Sequence, residues 1–68
     1  MQNNVQQLRQ EMDLSQAKLG DMVGVSRQTI NSLEAGRYNP SITLAFKLAK
    51  VFNKKIEEIF IYKENEDE

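Results

Sequence analysis

The stretch from Ser15 to Gly36 constrains this chain more than any other part of it. It holds all three of the chain's glycines, Gly20, Gly24 and Gly36. It also holds Ser15 and Ser26, each directly ahead of an apolar run with helical spacing. A serine in that place accepts a hydrogen bond from an orphan N–H of the first turn. A glycine just past the last helical residue supplies the left-handed position that ends a helix. The pattern predicts a helix over about 16–23, a turn at Gly24 with Val25 as an apolar plug, and a helix over about 27–35 stopped by Gly36. Two helices joined by so short a connection cross steeply. They need a small residue where their backbones meet, which Gly20 provides, and a wedge of aliphatic groups between them: Leu19, Val23, Val25, Ile30 and Leu33. With the wedge assigned, the outer face of the later helix is polar. It carries Arg27, Gln28, Asn31 and Ser32, with Thr29 at its edge.

The flanks continue the same periodicity. Val5, Leu8 and Met12 mark a helix over about 3–12, broken at Asp13-Leu14, and Leu19, Met22 and Val23 form the inner stripe of the next. Arg37 to Pro40 reads as a loop, because the proline pushes Asn39 toward an extended backbone. Ser41 caps a fourth helix over about 42–52, with Ile42, Leu44, Ala45, Leu48, Ala49 and Phe52 apolar, and Asn53 ends it. Ile56 to Phe60 reads as a short fifth helix, and Phe60-Ile61-Tyr62 has strand-like composition. The fold class is therefore all-α, five helices with a short C-terminal strand.

Composition bounds what such a domain does. The chain has no cysteine or histidine, which removes disulfides and leaves no zinc-type ligand set. No Gly-rich phosphate loop is present, and the adjacent carboxylates Glu57 and Glu58 point apart on a helix. No catalytic set, cofactor or small-molecule ligand is expected. No apolar run nears a membrane span and no leader is legible, so the cytosol is the expected location. The net charge of −1 is unevenly spread: residues 64–68 carry Glu64, Glu66, Asp67 and Glu68. The rest, nine basic against six acidic groups, is net positive. The reading is a folded domain over 1–63 and a disordered acidic tail over 64–68, either solubilising or competing with phosphate for the basic face.

The segment 15–36, followed by Arg37-Tyr38-Asn39-Pro40-Ser41, an aliphatic helix and Ile56-Glu57-Glu58-Ile59-Phe60, resembles the phage-repressor-like (Cro/CI, XRE) helix-turn-helix family. The resemblance covers roughly residues 5–62 and extends to short stand-alone bacterial repressors. It implies a lambda-repressor-like domain whose third helix enters the DNA major groove, acting as a two-fold dimer on a palindromic operator. Carried over by position, Arg27, Gln28 and Ser32 match base-facing residues, with Asn31 beside them. Arginine can bond guanine O6 and N7 together, and glutamine adenine N6 and N7. Gln16 matches a phosphate clamp at the start of helix two. Arg37, Tyr38 and Asn39 fall in a loop that meets the DNA backbone, with Lys18 and Thr29 added to that set. Arg9 and Glu34 match a structural salt bridge.

The chain also departs from the family. Its first helix is glutamine-rich where lysines are common. Gly20 stands where alanine is usual, which should soften helix two. Lys18 replaces the glutamate of a capping box; it is either a phosphate neighbour or a solvated lysine. Phe60, Ile61 and Tyr62 are more apolar surface than so small a core can bury, so a homodimer through this strand edge is expected. The partners expected are double-stranded DNA, a second copy and, from the family's gene neighbourhoods, a small membrane protein. Two other functions remain open: an antitoxin-type DNA-binding protein, and an interaction adaptor that has lost DNA binding.

Overall fold

The computed structural model describes residues 1–63. The acidic tail read at 64–68 lies outside them. Five helices follow one another: α1 (Val5–Glu11), α2 (Gln16–Val23), α3 (Arg27–Glu34), α4 (Ile42–Phe52) and α5 (Ile56–Ile59). Two short strands, β1 (Gln2–Asn3) and β2 (Phe60–Ile61), pair antiparallel with Gln2 opposite Ile61 and Asn3 opposite Phe60.

The middle helices start where their serines dictate. The hydroxyls of Ser15, Ser26 and Ser41 accept from the backbone N–H of Lys18, Thr29 and Leu44 respectively. α5 is capped differently: Glu58 Oε1 accepts from the Lys55 N–H at 2.8 Å. Four helix ends turn on a left-handed residue, Asp13 (φ 57°), Gly24 (78°), Gly36 (76°) and Asn53 (54°). At three of them two carbonyls are recaptured. Leu14 and Asp13 N–H bond Arg9 and Gln10, Arg37 and Gly36 bond Ser32 and Leu33, and Lys54 and Asn53 bond Ala49 and Lys50. This is the Schellman arrangement; aspartate and asparagine tolerate its backbone better than other side chains.

α1 begins two residues later than its periodicity predicts. Asn3 belongs to β1, and its side chain ties the N-terminus to the body of the domain. Its Oδ1 accepts from the Val5 N–H at 3.1 Å and its Nδ2 donates to Leu33 O at 2.8 Å. Asn4 N–H donates to Ile59 O at 2.8 Å. Short polar side chains that bond nearby backbone compete with helix, and here a strand partner from the far end of the chain decides the contest.

Leu19, Ile30, Leu33, Leu48, Ile59 and Val5 are fully buried at the centre. Val25 is only partly buried against them. Met22, read as part of an inner stripe, lies substantially exposed, and so do Met12 and Ile42, whose spacing marked their helices. On α1 the buried residues are Val5 and Arg9. Phe60 is also buried, so its ring closes the domain's own core. That corrects its assignment to a dimer surface. β2 pairs with β1 of the same chain, so one of its edges is already occupied.

The α2–α3 crossing is drawn tight around Gly20. A Cβ placed there would lie 2.5 Å from the Val25 carbonyl oxygen. That oxygen belongs to the residue whose N–H bonds Gly20 O at 2.9 Å. The glycine is a requirement of this turn and not merely a soft spot in α2.

Candidate nucleic-acid interface

α3 is anchored on one side and open on the other. Ile30 and Leu33 fix its inner face in the core. The Ser26 hydroxyl holds its first turn, accepting from Thr29 N–H at 3.1 Å and lying 3.0 Å from Thr29 Oγ1. Asn3 and Gly36 hold its last turn. What projects outward is Arg27, Gln28 and Asn31, all exposed, with Ser32 and Thr29 half-buried beside them. The side chains read as base-facing therefore lie together on the outer ridge of α3, opposite the face anchored in the core.

The ridge has two flanks. On one, Gln28, Thr29 and Ser32 line a shallow hollow with Ser26, Arg37 and Tyr38. This flank brings together three residues of α3 and two of the following loop. Tyr38 also packs on the core, so the loop has a fixed footing. Asn39 does not join this hollow; it lies with Pro40 and Ile42 at the start of α4, beside a different, apolar depression. On the other flank Asn31 meets Gln16. Lys18 is exposed on the first turn of α2, where its side chain makes no capping bond.

Behind the ridge lies the one buried charge pair among the described residues. Arg9 Nε donates to Glu34 Oε2 at 2.7 Å and Nη2 donates to Oε1 at 3.2 Å, with side chains 10% and 5% exposed. Arg9 Nη1 donates to Leu14 O at 2.8 Å. The hydrogen bond that Arg9 donates to Glu34 raises the Arg9 pKa above its ordinary value; burial opposes this and the Coulombic attraction adds to it. α1 is thereby tied to the end of α3 and to the α1–α2 turn. The sequence did not indicate that Gln16 joins this pair, donating from Nε2 to Glu34 Oε1 at 3.0 Å. Its residue type alone fits a phosphate clamp equally well. The contact follows only once α1, α2 and α3 are brought together.

Two helices crossing through a left-handed glycine, with a polar ridge on the second and an aliphatic wedge beneath it, define a helix-turn-helix DNA-binding domain. The helix-turn-helix family profile matches residues 5–59. The chain belongs to this family, the phage-repressor-like (Cro/CI, XRE) helix-turn-helix transcriptional regulators. They are DNA-binding regulators and not enzymes. An uncharacterized HTH-type transcriptional regulator of Methanocaldococcus jannaschii is 50% identical over 66 residues, covering 97% of this chain and 100% of its own. The P22 c2 repressor, solved in complex with a synthetic operator, superposes with a TM-score of 0.77 at 28% identity, covering 79% of this chain and 82% of its own. The restriction-modification controller protein C.AhdI of Aeromonas hydrophila superposes with a TM-score of 0.74 at 30% identity, covering 84% and 83%. The fold is lambda-repressor-like, and the protein is a transcriptional regulator with a helix-turn-helix DNA-binding domain.

Proposed function

We propose that this regulator is a repressor that binds a palindromic operator as a homodimer, with α3 of each copy in the major groove. The observation that carries the reading is the ridge of Arg27, Gln28, Asn31 and Ser32 on a helix whose opposite face, Ile30 and Leu33, is buried in the core. Those four contact base edges. Gln16, Lys18, Thr29, Arg37, Tyr38 and Asn39 contact phosphate and sugar, which sets register without reading sequence. The similarity to the P22 c2 repressor supports repression as the mode of action.

Two-fold symmetry suits the dimensions. The domain measures 33 × 23 × 20 Å. Half-sites one helical turn apart ask two copies of this size to hold their recognition helices ~34 Å apart. Ile61 (38% exposed) and Tyr62 (62% exposed) supply apolar surface at the end of β2 for the dimer contact. Among the described residues no helix is long and apolar enough to cross a membrane. A small membrane-protein partner rests on the family resemblance alone.

The test is selection of bound fragments from genomic DNA, followed by gel shifts over a range of salt and sedimentation with and without the selected duplex. The reading expects an enriched inverted repeat, affinity that falls steeply with salt, and two chains per duplex. No enrichment above random fragments, or one chain per site, overturns it.

A further inference from the structure

A phosphate contact alone does not account for the surroundings of Gln16. Its side chain is half-buried between the Arg9–Glu34 pair and the ridge of α3. Gln16 Nε2 donates to Glu34 Oε1 at 3.0 Å, and Gln16 Oε1 accepts from Asn31 Nδ2 at 3.4 Å. The two ends of a carboxamide are nearly the same size, so an isolated glutamine or asparagine can face either way. Here the choice is imposed from one end. Glu34 lies against the Arg9 guanidinium on both oxygens and offers only acceptors. A carboxamide beside it must turn its NH2 that way, which puts its oxygen on the opposite side, toward Asn31. An oxygen there takes only a donor, so Asn31 must turn its NH2 inward and its Oδ1 away. Reversing either amide sets oxygen against oxygen.

We infer that Gln16 is a positioning residue that fixes the polarity of Asn31, so that Asn31 presents Oδ1, with its second amide hydrogen, outward from α3 and selects adenine. This rests on the reading of α3 as the base-contacting helix. In the major groove adenine offers an N6 amine to Oδ1 and an N7 acceptor to the remaining hydrogen; guanine and thymine present O6 and O4, which would face oxygen with oxygen. A salt bridge that holds the fold together thus also sets, through one glutamine, which base the exposed asparagine accepts.

The test uses the full chain as wild type, Gln16→Met, Gln16→Lys and Asn31→Ala, with melting curves as the folding control. Gln16→Met removes both hydrogen bonds at similar volume. Gln16→Lys keeps a donor for Glu34 and adds charge for phosphate, but has no oxygen for Asn31. Each variant is put through selection on a randomised duplex, and the side-chain amide resonances of Asn31 are recorded in the free protein. Wild type is expected to enrich adenine at one position per half-site, a preference that Asn31→Ala erases. Both Gln16 variants are expected to lose that preference by ~5-fold or more, within the range one good side-chain-to-base pair supplies. They should keep the preferences at other positions and move the Asn31 amide resonances. Gln16→Lys should lose the preference even while binding more tightly overall.

Equal weakening on every sequence with the adenine preference intact makes Gln16 a phosphate clamp only and overturns the inference. So do a wild-type preference for guanine or thymine at the position Asn31→Ala erases, and Asn31 amide resonances unmoved in both variants. Failure of wild type to enrich any sequence instead sinks the base-reading function, and the amide resonances still decide the relay.

Discussion

Replacing Glu34 with alanine should cost this domain a large share of its stability. The carboxylate accepts twice from Arg9, at 2.7 and 3.2 Å, and once from Gln16 at 3.0 Å, in a place where it is only 5% exposed. Glu34→Ala leaves the Arg9 guanidinium buried with a single remaining acceptor, the Leu14 carbonyl. Stranding one member of a buried pair costs about 3–5 kcal/mol. A domain of this length has roughly 3–10 kcal/mol in total. The variant should therefore melt on the order of 10–40 °C lower, taking about 4–8 °C per kcal/mol for small domains, and should be partly unfolded at ambient temperature. The pair itself is a different matter, because two charges removed from water recover little beyond their desolvation. Arg9→Met combined with Glu34→Leu should regain most of what the single variant loses. Chemical denaturation followed by far-ultraviolet circular dichroism measures both. A loss below about 1 kcal/mol in Glu34→Ala, or a double variant no better than the single, would refute the view that the damage comes from an uncompensated buried charge.

Three further outcomes follow from the α2–α3 unit. Gly20→Ala should destabilise although alanine favours helix: the added Cβ meets Val25 O at 2.5 Å, and an overpacking cost of about 1–3 kcal/mol outweighs a propensity gain of about 0.5–1 kcal/mol. A higher melting temperature in this variant would show that the turn can open. Ser26→Ala should cost about 1 kcal/mol by removing the cap of α3, and hydrogen exchange should quicken first at Thr29, whose N–H that hydroxyl accepts. Arg27→Ala should lower affinity for selected DNA by about 1–3 kcal/mol while changing random-sequence binding far less; equal losses on both in gel shifts would remove Arg27 from the base-reading set.

What could be read in the sequence was what local chemistry decides. α2 and α4 begin and end where Ser15, Ser41, Gly24 and Asn53 put them, because a hydroxyl cap and a left-handed residue act within a few positions of themselves. The polar ridge of α3 could be read for the same reason: once Ile30 and Leu33 are assigned inward, helical geometry leaves Arg27, Gln28 and Asn31 outside. The rest depends on residues distant in the chain. β1 is two residues long and exists because β2 lies beside it, and nothing in Gln2-Asn3 signals that partner. Phe60 was read as surplus apolar surface, and the same pairing turns it into core. Met22 and Ile42 fit an apolar spacing yet stay exposed, since a period fixes a face only to within about one residue's rotation. The Arg9–Glu34 pair came from family resemblance, and the attachment of Gln16 to it from neither source; three helices have to converge before a glutamine can choose a carboxylate over a phosphate.

The most direct test of the central claim, that α3 presents its outer face to DNA, is a titration of isotope-labelled protein with its selected duplex, followed through backbone and side-chain amide resonances. The account predicts the largest changes at Arg27, Gln28, Asn31 and Ser32, flanked by Gln16, Lys18, Arg37 and Tyr38, with the buried Leu48 and Phe52 of α4 little affected. Changes concentrated on α4 and α5, with the resonances of Arg27 to Ser32 unmoved at saturation, would contradict it.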